Sequence, residues 1–401
     1  MIDTREMPSQ IKAVLGIIHG SRAFGGPVQV NLRLTNRCNI RCLHCYYNSP
    51  YLDMPAFIPL RRARKTGKDS PSSQELKQIS LLDADPGLMR VVIEELLKMG
   101  TRGWQIGGNG EPFLYKDIME VIGILKASGS HCLINTNGTL INSTVADALI
   151  KVKFDELRIT TMAGTPDVYV RTHPGTTGEM FHKLKQTLMY MAERKAALKV
   201  KQPEITLAFI VIAQNYNSVF EFAEFAAHVK ADGVLFRPVD DIEDPGLAQT
   251  VPSEKQAISV LEQLRAAKPF LESRGIRHNI AYFSKIFREQ LNTEMLYRHI
   301  PCYYGWLSTV IDTDCKVYAC CRCYEPLGDI QENKFSEIWN GKSYRQFRKD
   351  GLHLNRTRRP VRGCDCYSCV HHTANLKVYQ KLHPVKGRSQ RLKSLSQSYE
   401  I

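Results

Sequence analysis

The segment LTNRCNIRCLHCYY, residues 34–47, places Cys38, Cys42 and Cys45 in a CxxxCxxC pattern. Soft thiolates suit iron–sulfur clusters, and three of them can bind three of the four irons of a cubane. The fourth iron then has no protein ligand and is free to bind a small molecule. A structural zinc site takes four ligands, so zinc would need His44 or a distant residue as well. Spacing alone also allows three buried cysteines without a metal.

Strand-like and helix-like segments alternate around this loop. Val28 to Thr35 alternates apolar and polar side chains, as a half-buried strand does, and the cysteines follow at once. Helices are predicted at 86–99, 115–128, 141–152, 178–198, 216–230 and 253–275, with strands between them at 103–107, 131–135, 155–161, 204–213 and 233–237. Such alternation predicts parallel strands joined by right-handed crossovers. Six strands favour an α/β fold of the partial (β/α)6 TIM-like barrel type over a doubly wound sheet, with the loop at the ligand-binding edge.

The pattern of predicted strands, helices and cysteines divides the chain into five parts. We predict an N-terminal extension (1–27), a core barrel (28–275) with an insertion at about 50–85, a linker (276–300), a small cysteine-rich C-terminal domain (301–372) and a basic tail (373–401). The formal net charge is +14, with basic residues concentrated at 61–68 and in the tail. This charge fits either an anionic partner or a solvated surface.

Composition indicates a soluble cytoplasmic protein. The 401 residues include 43% hydrophobic and 23% charged side chains, and the longest apolar run, Leu207 to Ala213, is too short to span a membrane. The N-terminus has no leader-like pattern. The twelve cysteines of such a protein are not expected to form disulfides, because the cytosol keeps thiols reduced, and the closely spaced groups at 38–45 and 302–369 indicate metal sites. Cys132 lies in a strand pattern and is predicted to be a core residue.

The CNIRCLHC segment resembles the signature loop of the radical S-adenosylmethionine (SAM) superfamily. Further segments match that family in order, each at the end of a predicted strand. The resemblance implies an open cluster on Cys38, Cys42 and Cys45, and SAM contacts from Gly107, Gly108, Asn109, Glu111, Asn135, Asn137, Thr161, Asn215 and Arg237. The inserted Asn109-Gly110 departs from the usual Gly-Gly-Glu-Pro turn of the family. Taken singly, turns such as Asn137-Gly138 are also ordinary turn chemistry.

Residues 300–370 resemble the SPASM/twitch modules found in this superfamily. A cysteine precedes a predicted hairpin, another follows it, and a CxxC pair ends the module. The resemblance implies one auxiliary 4Fe-4S cluster on Cys302, Cys320, Cys366 and Cys369. Cys315, Cys321, Cys323 and Cys364 are extra, so a second auxiliary cluster and a zinc ribbon both remain open. His371 and His372 are either further ligands or surface residues.

This resemblance implies a radical SAM oxidoreductase or epimerase. Such an enzyme receives an electron from a donor such as flavodoxin or ferredoxin, cleaves SAM to a 5′-deoxyadenosyl radical and abstracts hydrogen from its substrate. Only 37 residues precede Cys38, which favours dehydrogenation or epimerisation of a small sugar-like or nucleotide-linked molecule over peptide maturation. A zinc-containing nucleic-acid-binding protein is a third alternative. For the small-molecule enzyme and the peptide maturase, we expect neither a membrane partner nor a nucleic acid. The sequence assigns no catalytic side chain.

Overall fold

The structure is a computed structural model that describes residues 7–52, 82–239, 245–288, 299–366, 369 and 371–384. Ten strands form one sheet in the order β10-β9-β8-β1-β2-β3-β4-β5-β6-β7. The strands are β1 Gln29–Leu32, β2 Gly103–Ile106, β3 His131–Thr136, β4 Glu156–Thr160, β5 Glu204–Val211, β6 Gly233–Pro238, β7 Arg277–His278, β8 Ser308–Ile311, β9 Lys316–Tyr318 and β10 Gly328–Asp329.

Fourteen α-helices lie between and around these strands in the described residues. They are α1 Ser9–His19, α2 Pro86–Lys98, α3 Ile118–Ala127, α4 Ser143–Lys151, α5 Pro166–Thr172, α6 Gly178–Ala197, α7 Val219–His228, α8 Pro245–Ala248, α9 Glu254–Glu272, α10 Ile280–Arg288, α11 Tyr304–Leu307, α12 Phe335–Trp339, α13 Lys342–Thr357 and α14 His372–Leu382.

The order of the strands confirms the predicted fold class. Strands β1 to β7 are all parallel and pair consecutively, so every crossover advances one strand in the same direction. A doubly wound sheet would instead reverse its strand order at a switch point. The sheet is an open, partial barrel that has one short strand more than the six predicted.

Local sequence explains why these elements form where they do. Helix α2 begins after Asp85, whose side chain accepts a hydrogen bond from Leu88 N, and Pro86 occupies its first turn. Its buried residues are Met89, Val92, Ile93 and Leu96, which lie on one face of the helix. In β1, Val30 and Leu32 are fully buried against the helices, whereas Asn31 lies on the opposite, inner face.

The cysteine-rich C-terminal domain is joined directly to the barrel sheet. Strand β8 pairs in parallel with β1, with Asn31 opposite Val310 and Leu32 opposite Ile311. Strands β8 and β9 form the predicted hairpin, and Cys315 adopts φ +64° in its turn. The hairpin therefore extends the barrel sheet beyond its first strand and does not stand apart from it.

The segment 276–300, predicted as a linker, contains regular structure. It includes β7, which pairs with β6, and helix α10, whose Phe283 is fully buried. Two residues are too few for a strand to show a period of two, which explains why the pattern missed β7.

The N-terminal extension packs on the C-terminal domain. A Cβ atom on Gly16 would lie 2.6 Å from Cδ1 of Trp306, and Trp306 Nε1 donates to Arg22 O at 3.0 Å. Trp339 Nε1 donates to Gly25 O at 2.8 Å. Residues 16–25 thus pack against the C-terminal domain.

Two basic segments singled out by the sequence lie wholly or largely outside the described residues. These are 61–68, within the predicted insertion, and the tail beyond residue 384. Within the described part of the chain, no helix combines the length and apolar character needed to cross a membrane.

Candidate active site

The cysteine loop leaves the C-terminal end of β1 and is tied to its surroundings on two sides. Arg37 forms a salt bridge with Asp83, Nη2 to Oδ2 2.5 Å, and donates to Leu114 O at 2.9 Å. On the other side Leu43 N donates to Thr172 O at 3.0 Å. The loop is therefore held between the regions preceding α2 and following β4.

The three thiols of the loop lie close enough to act on one another. Burial raises the pKa of Cys38 to about 11, and Cys45 and Glu111 add to the effect. Burial likewise raises the pKa of Cys42 well above its ordinary value, with contributions from Cys45 and Cys38. The three cysteines are partly buried, and three neighbouring thiolates would repel one another, so this set fits a positively charged group that they share.

The Gly-rich turn after β2 packs directly on the cysteine loop. A Cβ atom on Gly110 would lie 2.2 Å from Arg37 O, so only glycine fits at this position. Glu111 N donates to the same carbonyl at 2.8 Å. Gly110, which lies in the Asn109-Gly110 insertion relative to the family pattern, is thus the residue of closest approach to the cysteine loop.

Glu111 connects the ends of β2 and β3 with the loop. Its buried carboxylate accepts hydrogen bonds from Thr136 Oγ1 and Asn137 N, both at 2.7 Å, and from Phe113 N at 3.2 Å. The Asn137 side chain in turn donates to Asn39 Oδ1 at 2.8 Å and lies 3.9 Å from Cys38 Sγ. Glu111 and Asn137 therefore position the cysteine loop through direct hydrogen bonds.

The side chains of the remaining predicted SAM contacts differ in their burial and in their hydrogen bonds within the protein. Thr161 is fully buried, and its hydroxyl has no hydrogen-bond partner among the described residues. Asn135 and Arg237 lie on the inner face of the sheet and are partly exposed. The side chain of Asn215 is engaged internally, with Met162 O at 3.1 Å, Ile210 O at 3.0 Å and Ile212 N at 2.8 Å. Asn215 thus shapes the end of β5.

A buried polar group beside the Gly-rich turn was not anticipated. Arg33 Nη1 donates to Asp312 Oδ2 at 2.9 Å, and Asn109 Nδ2 donates to Asp312 Oδ1 at 2.5 Å. Arg33 Nε and Asn31 Oδ1 lack partners among the described residues, and a Cβ on Gly108 would lie 3.4 Å and 4.0 Å from them. The alternation Val28 to Thr35 did place Asn31 and Arg33 on one face, but the sequence gave no sign of Asp312 beside them.

The C-terminal domain contains a cavity lined by thiols. Among its lining residues are Cys302, Cys320, Cys364, Cys366, Cys369 and His371. All four cysteines of the predicted auxiliary set thus face one space. Burial raises the pKa of Cys302 well above its ordinary value, and Cys366 and Cys369 add to it. Burial also raises the pKa of Cys369 to about 12. A metal cluster supplies the positive charge that such thiolates need.

The extra cysteines of this domain occupy different environments. Cys323 Sγ lies 2.7 Å from Cys364 Sγ and 3.8 Å from Cys320 Sγ, and Cys320 and Cys364 are 3.6 Å apart. Cys321 Sγ lies 3.3 Å from His371 Nε2, and the ring of Tyr304 stacks on the imidazole of His371. Cys315 is buried in the hairpin turn.

Outside both cysteine regions, Cys132 is fully buried in the main core, which confirms its prediction as a core residue.

An open α/β barrel with a three-thiol loop at its ligand-binding edge, joined to a domain with a thiol-lined cavity, defines an iron–sulfur enzyme. Residues 32–194 match the radical SAM superfamily, and residues 302–370 match SPASM, an iron–sulfur cluster-binding domain. The chain belongs to the radical SAM superfamily and carries a C-terminal SPASM domain. It binds SAM and 4Fe-4S clusters.

Similar proteins span most of the chain at low identity. The tungsten-containing aldehyde ferredoxin oxidoreductase cofactor-modifying protein of Pyrococcus furiosus is 22% identical over 79% of this chain and 82% of its own. The pre-heme d1 synthase of Dinoroseobacter shibae is 23% identical over 87% and 81%.

The crystal structure of Streptococcus suis SuiB bound to SAM has a TM-score of 0.59 at 12% identity, covering 90% of this chain and 81% of SuiB. SuiB has also been solved with its precursor peptide SuiA, and that structure has a TM-score of 0.55 at the same identity and over 90% of this chain and 80% of that one. At this identity SuiB supports the fold alone.

Proposed function

We propose that this enzyme abstracts hydrogen from a small polar molecule, sugar-like or nucleotide-linked, and dehydrogenates or epimerises it. The observation that carries the proposal is the polar lining of the barrel near the cysteine loop. Several polar side chains lie on the inner face of the sheet, and along each strand they alternate with core residues that point to the outer face. These polar side chains include Asn31, Gln105, Asn135, Arg158, Thr160 and Arg237. Convergent polar groups in a concave site favour a small hydrophilic ligand.

The guanidinium groups of this lining favour a substrate with an anionic group, although two of them also pair with carboxylates of the protein. Arg158 and Arg237 are both partly exposed on the inner face, and Arg33 lies deeper beside the Gly-rich turn. Arg158 is paired through Nη2 with Glu156 at 3.0 Å, while its buried Nε has no partner within the described residues. Guanidinium groups bind carboxylates and phosphates through two parallel hydrogen bonds.

Each cysteine module has a separate role in this proposal. Cys38, Cys42 and Cys45 would hold the cluster that supplies the electron for cleaving SAM to methionine and the 5′-deoxyadenosyl radical. Glu111 and Asn137 hold the loop that presents these thiols, and the barrel wall orients the substrate carbon and excludes water. Cys302, Cys320, Cys366 and Cys369 would hold the auxiliary cluster, which would supply an electron acceptor and so favour oxidation over epimerisation.

Two of the relatives that align over most of the chain support a small substrate. One is described as modifying the cofactor of an oxidoreductase and the other as synthesising a pre-heme. Peptide maturation is the second candidate, and the similarity of the fold to peptide-bound SuiB favours it. A zinc-dependent nucleic-acid-binding role is set aside because the chain belongs to an enzyme superfamily.

The test is an anaerobic assay of the reconstituted enzyme with SAM, a low-potential electron donor and two substrate panels. One panel contains anionic sugars and nucleotide-linked sugars, and the other contains candidate precursor peptides. We expect substrate-dependent 5′-deoxyadenosine with the first panel. Stimulation by peptides alone would overturn the proposal in favour of maturation.

Running the same reaction in deuterated water separates the two proposed outcomes. Epimerisation through an exchangeable hydrogen donor places solvent deuterium on the product carbon. Dehydrogenation leaves a product two hydrogens lighter and unlabelled at that carbon.

A further inference from the structure

Cys323 and Cys364 face each other across a two-residue ladder in the C-terminal domain. They form an isolated antiparallel bridge, flanked by hydrogen bonds from Tyr324 N to Gly363 O at 2.8 Å and from Asp365 N to Arg322 O at 3.0 Å. Because the flanking residues make these bonds, Cys323 and Cys364 are a non-hydrogen-bonded pair. In such pairs the Cα atoms are about 4.5 Å apart and the side chains are at their closest.

This backbone geometry suits a covalent bond between the two sulfurs. A disulfide needs Cα atoms roughly 4.4–6.8 Å apart and Cβ atoms about 3.5–4.5 Å apart, which a non-hydrogen-bonded pair provides. The two Sγ atoms are 2.7 Å apart. The pair therefore needs no backbone movement to close.

Neither cysteine belongs to the set that would hold the auxiliary cluster, yet each lies beside a member of it. Cys323 follows Cys320 by three residues and is joined to it by a hydrogen bond from Cys323 N to Cys320 O at 3.0 Å. Cys364 precedes Cys366 by two residues. The bridge thus joins two segments, distant in sequence, that carry expected cluster ligands: Cys320 in one, and Cys366 and Cys369 in the other.

We propose that Cys323 and Cys364 form a reversible dithiol–disulfide pair that staples these two segments. Cys364 is the entry point because it lines the thiol-lined cavity, whereas Cys323 does not contribute to that lining. Its thiolate attacks a low-molecular-weight disulfide and releases one thiol. The Cys323 thiolate then attacks the Cys364 sulfur and releases the second thiol. Two protein thiols are oxidised, one external disulfide is reduced, and their protons pass to the two released thiols.

The closed pair would hold Cys320 and Cys366 in place before a cluster is present. The loop between the two cysteines contains β10, α12 and α13, so without the bond this long segment is their covalent connection, and the two backbone hydrogen bonds of the bridge hold them together. This inference concerns assembly of the domain and does not depend on the proposed substrate. It also makes one pair an exception to the expectation that all twelve cysteines are reduced or metal-bound.

Mapping of disulfides in the whole chain tests this pair. The anaerobically purified protein is incubated with oxidised glutathione, denatured with chelator and N-ethylmaleimide, and digested with trypsin and Asp-N without reduction. Cleavage after Arg322 and Arg362 and before Asp329 and Asp365 isolates residues 323–328 and 363–364, each with one cysteine. We expect these two peptides linked, and separated again in a sample treated with dithiothreitol.

The matched variants are C323S and, within the same domain, C315S. C323S should lose the linked peptide, keep its iron after reconstitution, and take up auxiliary iron several-fold more slowly than the wild type. C315S should match the wild type in the linked peptide, in the iron content after reconstitution and in the rate of iron uptake. Glutathione attached to other cysteines with no 323–364 link would overturn the proposal, as would a 320–364 link or stoichiometric zinc bound at these thiols. So would loss of auxiliary iron in C323S, since Cys323 would then be a ligand. Each result is independent of whether any substrate is found.

Discussion

Gly110 is the residue at which the cysteine loop and the Gly-rich turn meet most closely. Replacing it with alanine would place a methyl group 2.2 Å from Arg37 O, and neither backbone can give way without moving the loop. We expect Gly110→Ala to lower 5′-deoxyadenosine formation by about a hundredfold, because displacements near 1 Å have effects of this size in active sites.

The control for this substitution is Gly123→Ala. Gly123 lies inside α3, and a Cβ there meets no atom within 4 Å. We expect unchanged activity and a gain of about 0.5–1 kcal/mol in stability, because alanine favours a helix interior. Full activity in Gly110→Ala would show that the turn does not position the loop.

His173 makes stability depend on pH. Burial lowers its pKa from 6.5 to about 4, although a hydrogen bond with Tyr169 O acts in the opposite direction. The unfolded chain therefore binds a proton more readily than the folded one between pH 6.5 and pH 4. The contribution of neutral His173 to stability is fully present above pH 6.5 and is lost as the pH falls towards 4.

Lowering the pH from 7 to 5 should thus cost about 2 kcal/mol through this residue alone. Urea unfolding at both pH values measures this loss of stability. The His173→Asn variant should lose most of the pH dependence of the free energy of unfolding, and His353→Asn is the control. His353 is exposed on α13 and should leave the dependence unchanged. Equal pH dependence in all three proteins would contradict the account.

Strand β8 joins the C-terminal domain to the barrel, and the ion pair of Arg33 and Asp312 lies at the end of that contact. Both side chains are at most 6% exposed. Removing one partner leaves an uncompensated buried charge, so Asp312→Ala should destabilise the protein by about 3–5 kcal/mol. The double variant Arg33→Met/Asp312→Leu should recover much of that loss.

The matched control is the exposed pair of Lys183 and Glu179 on α6. Glu179→Ala should leave the urea midpoint unchanged, because solvent-exposed ion pairs contribute little. A loss in Glu179→Ala as large as that in Asp312→Ala would mean that burial of the pair is not the cause.

Long helices and strands could be predicted from the sequence, whereas short ones could not. Helices such as α2 and α6 and strands such as β5 show several periods of their pattern, and the structure places them within a few residues of the predicted bounds. Helix α5 and strand β7 are short and were missed. The parallel pairing of β8 with β1 joins residues 279 positions apart in sequence, and no local pattern reports such a contact.

On the scale of the whole molecule, the barrel and the C-terminal domain meet around Arg33. Its guanidinium pairs with Asp312 and lies 6.0 Å from the centroid of the Tyr47 ring. Tyr47 follows the last cysteine of the loop, Cys45, by two residues. The local spacing of Cys38, Cys42 and Cys45 predicted the first set of cysteines, and the resemblance to SPASM/twitch modules predicted the second. The sequence could not foresee that Cys323 and Cys364 face each other, because that pairing depends on how the domain folds back.

The auxiliary site is tested by the double variant Cys366→Ser/Cys369→Ser. We expect it to keep cleaving SAM without coupling to the substrate, while product formation is lost, because the proposed reaction uses the two cysteine modules at different steps. Iron should fall by about four per chain, the content of one cubane. Normal product formation would remove the auxiliary cluster from the proposed reaction.

The most direct test of the account is the triple variant Cys38→Ala/Cys42→Ala/Cys45→Ala, reconstituted anaerobically beside the wild type. Each protein is assayed for iron and for 5′-deoxyadenosine formed from SAM under reducing conditions. We predict that iron falls from about eight to about four per chain, since one cubane of two is lost, and that 5′-deoxyadenosine is abolished. Undiminished 5′-deoxyadenosine in the triple variant would contradict the claim that these three cysteines hold the cluster that cleaves SAM.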